Sequence, residues 1–513
     1  MGTSAEQAPV ASSSDAAESR TVSGVDVAAG LVGNEAQQYD AAIERRVVRK
    51  IDLYVIPFLW VGYGLVYYDK AILGGASIFG MITSLDLRVV VDASTTPPKT
   101  STQRLSWASS LFYFGLLAGV VPLTYAFQRF HLSRTIGVCV VTWGLVCMAT
   151  ALVTSFHGLY AQRFFLGFLE SMLPTAFMVI VSSFYAQREQ TWRQCLWYSA
   201  TGGWTVIGAL FNYAFAHINS GNLERWQYLY IMAGAITVLY GFLFFAFPQT
   251  PNTAFFLKGD EKIVALERLR RSQMGVRCNT IKRSQIIDAL TDPKVWLIAL
   301  MMGLAYTVNG AVSAFGPLIV STFGYDPYTA ILWQMPLGGV CFVTILLCGY
   351  LSLRIQNIRL VMIVLNCLPV IAGCAMIWKS DWSEHAATPL AGYTLIGFFA
   401  PVTSLIVSMG MVNVAGNTKK SAMASATFVM YCFGNIVGPF WIRTQEVGEH
   451  YPMLWKGIIG SYAVLIAVAV TLYMMLRREN RRREEMQLDE KEGERQAFQD
   501  LTDRENLYFR YCY

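Results

Sequence analysis

Long apolar segments alternate with short polar ones along most of the chain. Twelve of the apolar segments are long enough to cross a bilayer, for which a helix needs about 20 residues. They cover residues 53–79, 107–127, 135–155, 158–184, 194–218, 227–247, 295–322, 330–352, 359–378, 389–412, 422–442 and 453–476. The pattern predicts an all-α polytopic membrane protein with twelve transmembrane helices in two groups of six.

The polar stretches divide the chain into five expected units. The first lacks the apolar core of a cleavable signal peptide and is rich in Ala, Ser and Gly, which is typical of a disordered cytoplasmic tail. Within the basic linker, residues 260–271 have helical spacing and are expected to lie along the membrane surface. The units are residues 1–44 (N-terminal tail), 45–247 (first six-helix bundle), 248–294 (cytoplasmic linker), 295–476 (second six-helix bundle) and 477–513 (cytoplasmic tail).

Composition supports a membrane protein and argues against a soluble enzyme. Hydrophobic residues make up 54% of the chain and charged residues only 14%, with a mean hydropathy of +0.40. The net charge of +6 follows from basic loops, so we expect no nucleic-acid partner. Most of the ten cysteines lie in apolar segments without metal-type spacing. With no phosphate-binding glycine loop, histidine cluster or nucleophile elbow, we expect no catalytic residues, metal or cofactor.

Basic residues in every second connection predict the orientation of the chain. They precede the first segment and follow each even-numbered one, which places both termini in the cytoplasm by the positive-inside rule. The first outer loop, residues 80–106, is then expected to be extracellular and partly disordered. The basic residues are Arg45, Arg46, Arg49, Lys50, Arg129, Arg134, Arg188, Arg193, Arg354, Arg359, Lys419, Lys420, Arg477, Arg478, Arg481, Arg482 and Arg483.

Four charged residues lie deep inside the apolar segments, away from their ends. Arg163 and Glu170 are in the fourth segment, about two helical turns apart and therefore on one face. Asp69 and Lys70 are in the first. Each such group costs roughly 2.5–3.5 kcal/mol at membrane depth and normally faces a bundle interior or a cavity. Because the two segments run in opposite directions, Asp69 and Glu170 are expected to meet near the middle of the membrane.

These charges predict a proton-sensitive anion site. Burial favours the neutral form of a carboxylate, so Asp69 and Glu170 are the candidates for proton coupling. Their protonation would leave Lys70 and Arg163 free to bind an organic carboxylate. The alternative is that the four residues form structural ion pairs. Lys70 in particular need not face the site, since adjacent helical residues point about 100° apart.

The second group of segments offers neutral polar residues instead. Tyr306 and Asn309, one turn apart, and Asn435 are candidates for substrate binding, with helix–helix hydrogen bonding as the alternative. Candidate gating residues at the cytoplasmic ends are Arg129, Arg188 and Arg193. Four aromatic residues could stack on a ring-shaped substrate or simply pack in the core: Tyr67, Tyr68, Trp204 and Trp441.

The layout of six segments, a basic linker and six more resembles the major facilitator superfamily. Motifs along the chain resemble the fungal anion:cation symporter family of allantoate and nicotinate permeases. The motifs include VRKID (48–52), QRFFLGFLES (162–171), NVAGNTKK (413–420) and DLTDRENLYFRY (500–511). The loop FQRFHLSR (127–134) only loosely resembles the superfamily's gating loop, which leaves the substrate open.

The resemblance implies a monomeric plasma-membrane transporter that takes up a small organic anion together with protons through a midplane site. The intramembrane charge pairs are implicated in coupling in the resembling symporters. Two alternatives stay open at this point. One is an exporter of an acidic secondary metabolite, and the other is a nutrient sensor that binds its ligand without moving it.

Overall fold

The computed structural model describes residues 39–92, 94, 99–218, 221–271, 282–355, 357–382, 386–486 and 501–513. Within these ranges the chain is almost entirely helical, and eleven helices are long and apolar enough to cross a membrane. The fold is therefore the predicted all-helical one.

The first half of the chain, up to the linker, begins with a long helix that passes through a π-helical turn, Ser77–Met81, into a short helix. A 3₁₀ turn, Thr150–Leu152, follows α4. The helices are α1 (Ala41–Ala76), α2 (Ile82–Ser84), α3 (Gln103–Arg129), α4 (Leu132–Ala149), α5 (Phe156–Glu170), α6 (Leu173–Phe184), α7 (Gln187–Tyr198), α8 (Ala200–Ala216) and α9 (Arg225–Ala246).

The linker carries α10 (Gly259–Arg271) and α11 (Arg283–Thr291), and a 3₁₀ turn, Pro251–Thr253, precedes them. The helices of the second half are α12 (Pro293–Ser321), α13 (Pro327–Leu332), α14 (Gln334–Arg354), α15 (Arg359–Lys379), α16 (Ala387–Leu395), α17 (Phe399–Asn413), α18 (Asn417–Val437) and α19 (Pro452–Glu485). Further 3₁₀ turns are Ile396–Phe398, Gly438–Trp441 and Thr444–Glu449.

The predicted fifth segment does not form a single long helix. It is split at Ser199 into α7 and α8, and α8 has 17 residues. Helix α8 nevertheless packs between α1 and α14, the position of a core helix of the bundle. Neither α7 nor α8 is among the eleven helices that are long and apolar enough to cross a membrane.

The predicted fourth segment is broken directly after Glu170. Pro174 stands near the start of α6 and has no backbone N–H, so the carbonyl of Glu170 loses the partner it would have four residues later in a continuous helix. The break leaves Glu170 as the last residue of α5. A proline visible in the sequence thus places a charged residue at a helix end within the membrane.

Close helix contacts at glycines pack helices together within each half. A Cβ at Gly167 in α5 would lie 1.9 Å from the carbonyl oxygen of Phe112 in α3, so these helices meet backbone to backbone. A Cβ at Gly434 in α18 would lie 2.2 Å from the carbonyl oxygen of Gly303 in α12. Between the halves, α1 packs on α12, α8 on α14 and α3 on α18.

The two ends of the bundle differ. Helix α10 joins the beginning of α1 through Lys50 and Glu261 (2.7 Å), and we call this end, which also holds the end of α19, the terminal face. At the other end, the opposite face, the halves are in direct contact. There Ser106 donates a hydrogen bond to the Pro439 carbonyl oxygen (3.0 Å). The halves are therefore closed at the opposite face.

Two segments differ from the sequence-based expectations, the N-terminal tail and the loop at 80–106. Helix α1 begins at Ala41, inside the predicted N-terminal tail, because Asp40 caps it by accepting a hydrogen bond from the Ala42 N–H (3.1 Å). Residues 1–38 of that tail lie outside the described chain. The predicted disordered loop at 80–106 contains an antiparallel hairpin of β1 (Val89–Asp92) and β2 (Lys99–Ser101).

The linker helix predicted at 260–271 is confirmed as α10, and it docks on the first half. The ring of Phe256, just before α10, stacks on Tyr54 of α1 with ring centroids 4.6 Å apart. Arg268 of α10 pairs with Glu189 of α7 (3.2 Å). Helix α11 instead contacts α18 in the second half.

The C-terminal segment, residues 501–513, packs into the terminal face of the second half. Asp503 is fully buried and pairs with two lysines, Lys294 at the start of α12 and Lys419 in α18 (2.9 Å to Lys419). Arg483 of α19 donates to the Asp503 carbonyl oxygen (2.9 Å), and Asn480 donates to that of Tyr511 (2.8 Å). This predicted tail is thus part of the folded structure.

We expect Asp503→Asn to destabilise the second half. The change removes a carboxylate that two buried ammonium groups share. Lys419 keeps Asp288 and Asp292 as partners and Lys294 keeps Asp292 (3.5 Å), so we expect a loss smaller than the roughly 3–5 kcal/mol of a fully broken buried pair. Thermal unfolding of the purified protein in detergent measures the loss. Asp381→Asn, at an exposed position, is the matched control and should leave the melting temperature unchanged. Equal melting temperatures for the two variants would contradict the role of the segment.

The same contact has a defined pH dependence. Burial opposes ionisation of Asp503, but Lys294 and Lys419 outweigh it and hold the pKa of its carboxyl below the usual range. A lowered pKa gives stability that is present above the unfolded-state value of about 3.9 and is lost as pH falls through the folded-state value. Hydrogen exchange of residues 501–513, corrected for intrinsic rates, should therefore show protection at neutral pH and lose it only below about pH 4.

Candidate functional site

A central cavity of about 170 Å³ lies between the two halves. It extends toward the terminal face, since its lining includes Met411, two residues from the end of α17, and Met423, near the start of α18. Its wall is mainly apolar and aromatic. The lining residues are Tyr63, Lys70, Leu116, Glu170, Pro174, Met178, Gln194, Cys195, Trp197, Tyr198, Met302, Tyr306, Ser404, Val407, Ser408, Met411, Met423, Ala424, Thr427, Phe428 and Tyr431.

Lys70 and Glu170 form an ion pair in the wall of this cavity. The Lys70 ammonium lies 2.6 Å from Glu170 Oε1, and the two side chains are only 10% and 1% exposed. The ammonium also lies 5.4 Å from the centroid of the Phe112 ring. Among the described residues that line the cavity, these two are the only charged ones. The cavity lining, as far as it is described, therefore includes one cationic side chain, that of Lys70. In this structure its ammonium is paired with a carboxylate of the protein itself, that of Glu170.

Asp69 and Arg163 are not in the cavity wall. Asp69 accepts hydrogen bonds from the Trp143 indole N–H (2.6 Å) and the Cys147 thiol (3.3 Å). Arg163, 1% exposed, donates to the Asp69 carbonyl oxygen (3.4 Å) and to the Tyr230 hydroxyl (2.5 Å). These groups connect α1, α4, α5 and α9, so the cluster lies among the helices of the first half.

Helix geometry separates the two neighbours on α1. Consecutive residues of an α-helix point about 100° apart, so one helix presents Lys70 to the cavity and Asp69 to the interior of its own half. The structure thus brings Lys70 and Glu170 together in the cavity wall. Asp69 does not line the cavity beside Glu170. Arg163, a predicted substrate-binding residue, is enclosed behind the wall.

The predicted polar residues of the second half form two hydrogen-bonded groups. Tyr306 lines the cavity, and its hydroxyl shares a hydrogen bond with that of Tyr198 (2.8 Å), which in turn meets the Thr403 hydroxyl (2.8 Å). Asn309 and Asn435 bind each other, with Asn309 Nδ2 donating to Asn435 Oδ1 (2.7 Å). Tyr306 is therefore accessible to a substrate, whereas Asn435 is fully buried between α12 and α18.

The predicted gating arginines have different surroundings. Arg193 at the terminal face forms a two-pronged pair with Asp52 of α1 (2.7 and 3.0 Å). Arg129 is the last residue of α3 and is exposed. Arg188 belongs to α7, but its side chain lies outside what the structure describes.

Several aromatic residues of the cavity wall were missed from the sequence. Tyr63, Trp197 and Tyr198 come from α1 and α7, and Phe428 and Tyr431 from α18. Tyr63 precedes Lys70 by seven positions, about two turns, so its position on the same face was available as a signal. The others could not be recognised, because aromatic residues are common in membrane helices for packing alone.

The arrangement combines one buried, exchangeable cation with flat apolar walls. A substrate carboxylate can compete with Glu170 for Lys70 only when Glu170 is neutral, since two carboxylates cannot share one ammonium in an apolar site without repulsion. Tyrosine hydroxyls at the other wall can donate to or accept from the rest of the substrate.

Comparison with known proteins agrees with this architecture. A family model described as Major Facilitator Superfamily matches residues 59–439. An uncharacterized transporter of Schizosaccharomyces pombe is 31% identical over 490 residues, which cover 94% of this chain and 90% of that protein. The allantoate permease of Saccharomyces cerevisiae is 29% identical over 500 residues, with 94% of this chain and 89% of the permease covered.

A solved structure shows the same fold at much lower identity. The partially occluded inward open conformation of the xylose transporter XylE from E. coli has a TM-score of 0.60 and 12% identity, and the match covers 82% of this chain and 98% of XylE. Because the family model spans more than half of the sequence, this chain belongs to the major facilitator superfamily and is a transmembrane transporter, not an enzyme.

Proposed function

We propose that this protein is a proton-coupled symporter that takes up a small organic anion, with its terminal face in the cytoplasm. The observation that carries the proposal is the Lys70–Glu170 ion pair in the wall of the central cavity (2.6 Å). The basic connections at the terminal face support the orientation by the positive-inside rule. The relative named allantoate permease supports an anionic substrate.

The proposed cycle follows from competition for one ammonium group. When the cavity faces outward, a proton neutralises Glu170 and releases Lys70, and the carboxylate of the substrate takes its place on Lys70. After the halves have rocked to open the terminal face, the anion leaves. Glu170 then loses its proton to the cytoplasm and pairs with Lys70 again, which is the state seen here.

The charge balance predicts electroneutral transport. One proton on Glu170 enters with one negative charge on Lys70, so a monovalent anion carries no net charge through the cycle. The cavity volume of about 170 Å³ fits a small molecule, and the rings of Tyr63, Trp197 and Tyr431 favour a flat one. A small, planar monocarboxylate or ureide acid is therefore the proposed substrate class.

We assign Asp69 and Arg163 to holding the helices of the first half together. Their hydrogen bonds go to Trp143, Cys147 and Tyr230 within that half and leave no described contact with the cavity. The guanidinium of Arg163 lies close enough to Asp69 to stabilise its negative charge. It cannot contact a substrate in the cavity unless α5 rearranges. In this proposal Glu170 alone carries the coupled proton.

We expect Glu170→Gln to abolish proton-driven accumulation and to keep anion exchange. The amide cannot take up a proton and leaves Lys70 permanently free, so binding persists while coupling is lost. Proteoliposomes with an imposed pH gradient, acidic on the side opposite the terminal face, measure uptake of five labelled anions: allantoate, ureidosuccinate, nicotinate, pantothenate and biotin. A pH-sensitive dye inside the vesicles records the accompanying protons.

The matched control for this variant is Glu449→Gln, at an exposed position of the opposite face. It should accumulate anions as the unaltered protein does. Undiminished accumulation in Glu170→Gln would refute the coupling role. Failure of the unaltered protein to take up or exchange any of the five anions would refute the proposed function itself.

Lys70→Gln and Arg163→Gln should separate binding from structure. Loss of the Lys70 charge should weaken anion binding at least about tenfold, the effect of about 1.4 kcal/mol. Loss of Arg163 leaves buried acceptors without a charged donor, which costs about 1.5–3 kcal/mol of stability. Equilibrium binding and thermal unfolding in detergent measure the two effects.

Arg134→Gln, an exposed arginine of the same half without a candidate site role, is the control for Arg163→Gln and should change neither quantity. If Arg163→Gln melts like the unaltered protein and loses anion binding, the assignment of Arg163 to structure is wrong and the predicted substrate-binding role is restored.

A further inference from the structure

A second, strongly basic pocket lies at the terminal face, apart from the central cavity. Its volume is about 370 Å³, and it is enclosed by the first turns of α1, by α7 and by the linker helix α10. Four arginines line it: Arg45, Arg49, Arg193 and Arg268. The only other charged residues among the described ones that line it are three acids: Glu44, Asp52 and Glu189.

The acids are largely engaged by the two inner arginines. Asp52 is bound by Arg193 in the two-pronged pair, and Glu189 is bound by Arg268 (3.2 Å). The outer arginines, Arg45 and Arg49, are exposed at the mouth. They are one helical turn apart on α1, where two like charges repel each other. The mouth of the pocket therefore carries positive charge that an anion would relieve.

Arg268 supplies an independent sign that an anion belongs in the pocket. It is 9% exposed, and its Nε–H has no hydrogen-bond partner. Burial lowers the pKa of its guanidinium, and the charge of Arg193 acts in the same direction although Glu189 opposes both. A buried guanidinium with an unused donor is costly, and an anion bound in the pocket would complete its hydrogen bonds.

We propose that this pocket binds a phosphate-bearing ligand. Guanidinium groups match phosphate oxygens in two-pronged geometry, and this pocket offers the two exposed ones at its mouth, Arg45 and Arg49, together with the unused Nε–H of Arg268. The phosphate would belong to the headgroup of a phosphoinositide lipid or to a free phosphorylated metabolite. Because the lining comes from α1, α7 and α10, an occupied pocket would hold the linker helix against the first half.

The test uses the full-length protein with two phosphate sources. In nanodiscs, binding of phosphatidylinositol 4-phosphate is compared with that of phosphatidylserine at equal total charge. In detergent, inositol 1,4,5-trisphosphate and inorganic phosphate are titrated while thermal unfolding is followed. We expect saturable binding or stabilisation by at least one phosphate source. A response to phosphatidylinositol 4-phosphate and to inositol 1,4,5-trisphosphate identifies a lipid headgroup, and a response to inorganic phosphate alone identifies a free phosphate group.

The double variant Arg45→Gln/Arg49→Gln removes the charge at the mouth without touching the central cavity. It should raise the dissociation constant at least tenfold and leave the melting temperature without ligand unchanged. The matched control, Arg46→Gln/Arg134→Gln, removes the same charge from exposed positions outside the pocket and should stay within twofold of the unaltered protein.

Two results would overturn the proposal. One is the absence of saturable stabilisation in both arms. The other is an equal loss of affinity in the two double variants, which would mean that phosphate responds only to the overall basic surface. Neither result depends on anion transport, so the proposal stands or falls separately from the symport mechanism.

Discussion

The ion pair between Lys70 and Glu170 is the interaction on which the rest of the first half depends. Two charges buried in a membrane protein are tolerated only with close geometry, and here the ammonium and carboxylate are 2.6 Å apart. The break at Pro174 ends α5 at Glu170, and the contact at Gly167 sets α5 against α3. The helix break and the close approach of α5 to α3 therefore fix the position of Glu170, which pairs with Lys70 of α1.

Both members of the pair belong to the same half of the chain. Rocking of one half against the other leaves their separation unchanged, so movement alone cannot break the pair. Only a change in charge can, and protonation of Glu170 is that change, because it frees Lys70 for an anion. The second half contributes neutral groups such as Tyr306 and Tyr431 to the cavity. Among the described residues that line the cavity, the charged ones thus come from the first half alone.

The sequence was sufficient to predict the helices, because each apolar segment is recognisable by itself. It also predicted a charged site, because a charged residue within an apolar segment is costly and stands out without knowledge of its partners. It could not show that Lys70 faces the cavity whereas Asp69 faces the interior of the first half. That difference is defined only when α4 and α9 pack against α1. The hairpin in the first outer loop and the burial of Asp503 were missed for a related reason. Both depend on partners, Thr444 and Lys419, that are far away in the chain.

The terminal face shows how the linker can join two moving bodies. Helix α10 is bound to the first half through Glu261 and Arg268, whereas α11 is tied to the second half and to the C-terminal segment through Asp288 and Arg504 (2.9 Å). Each half therefore carries its own part of the linker. A ligand beside Arg268 would tighten the attachment of α10 to the first half without entering the transport cavity. It would shift the balance between conformations by as much as its affinities for the two states differ.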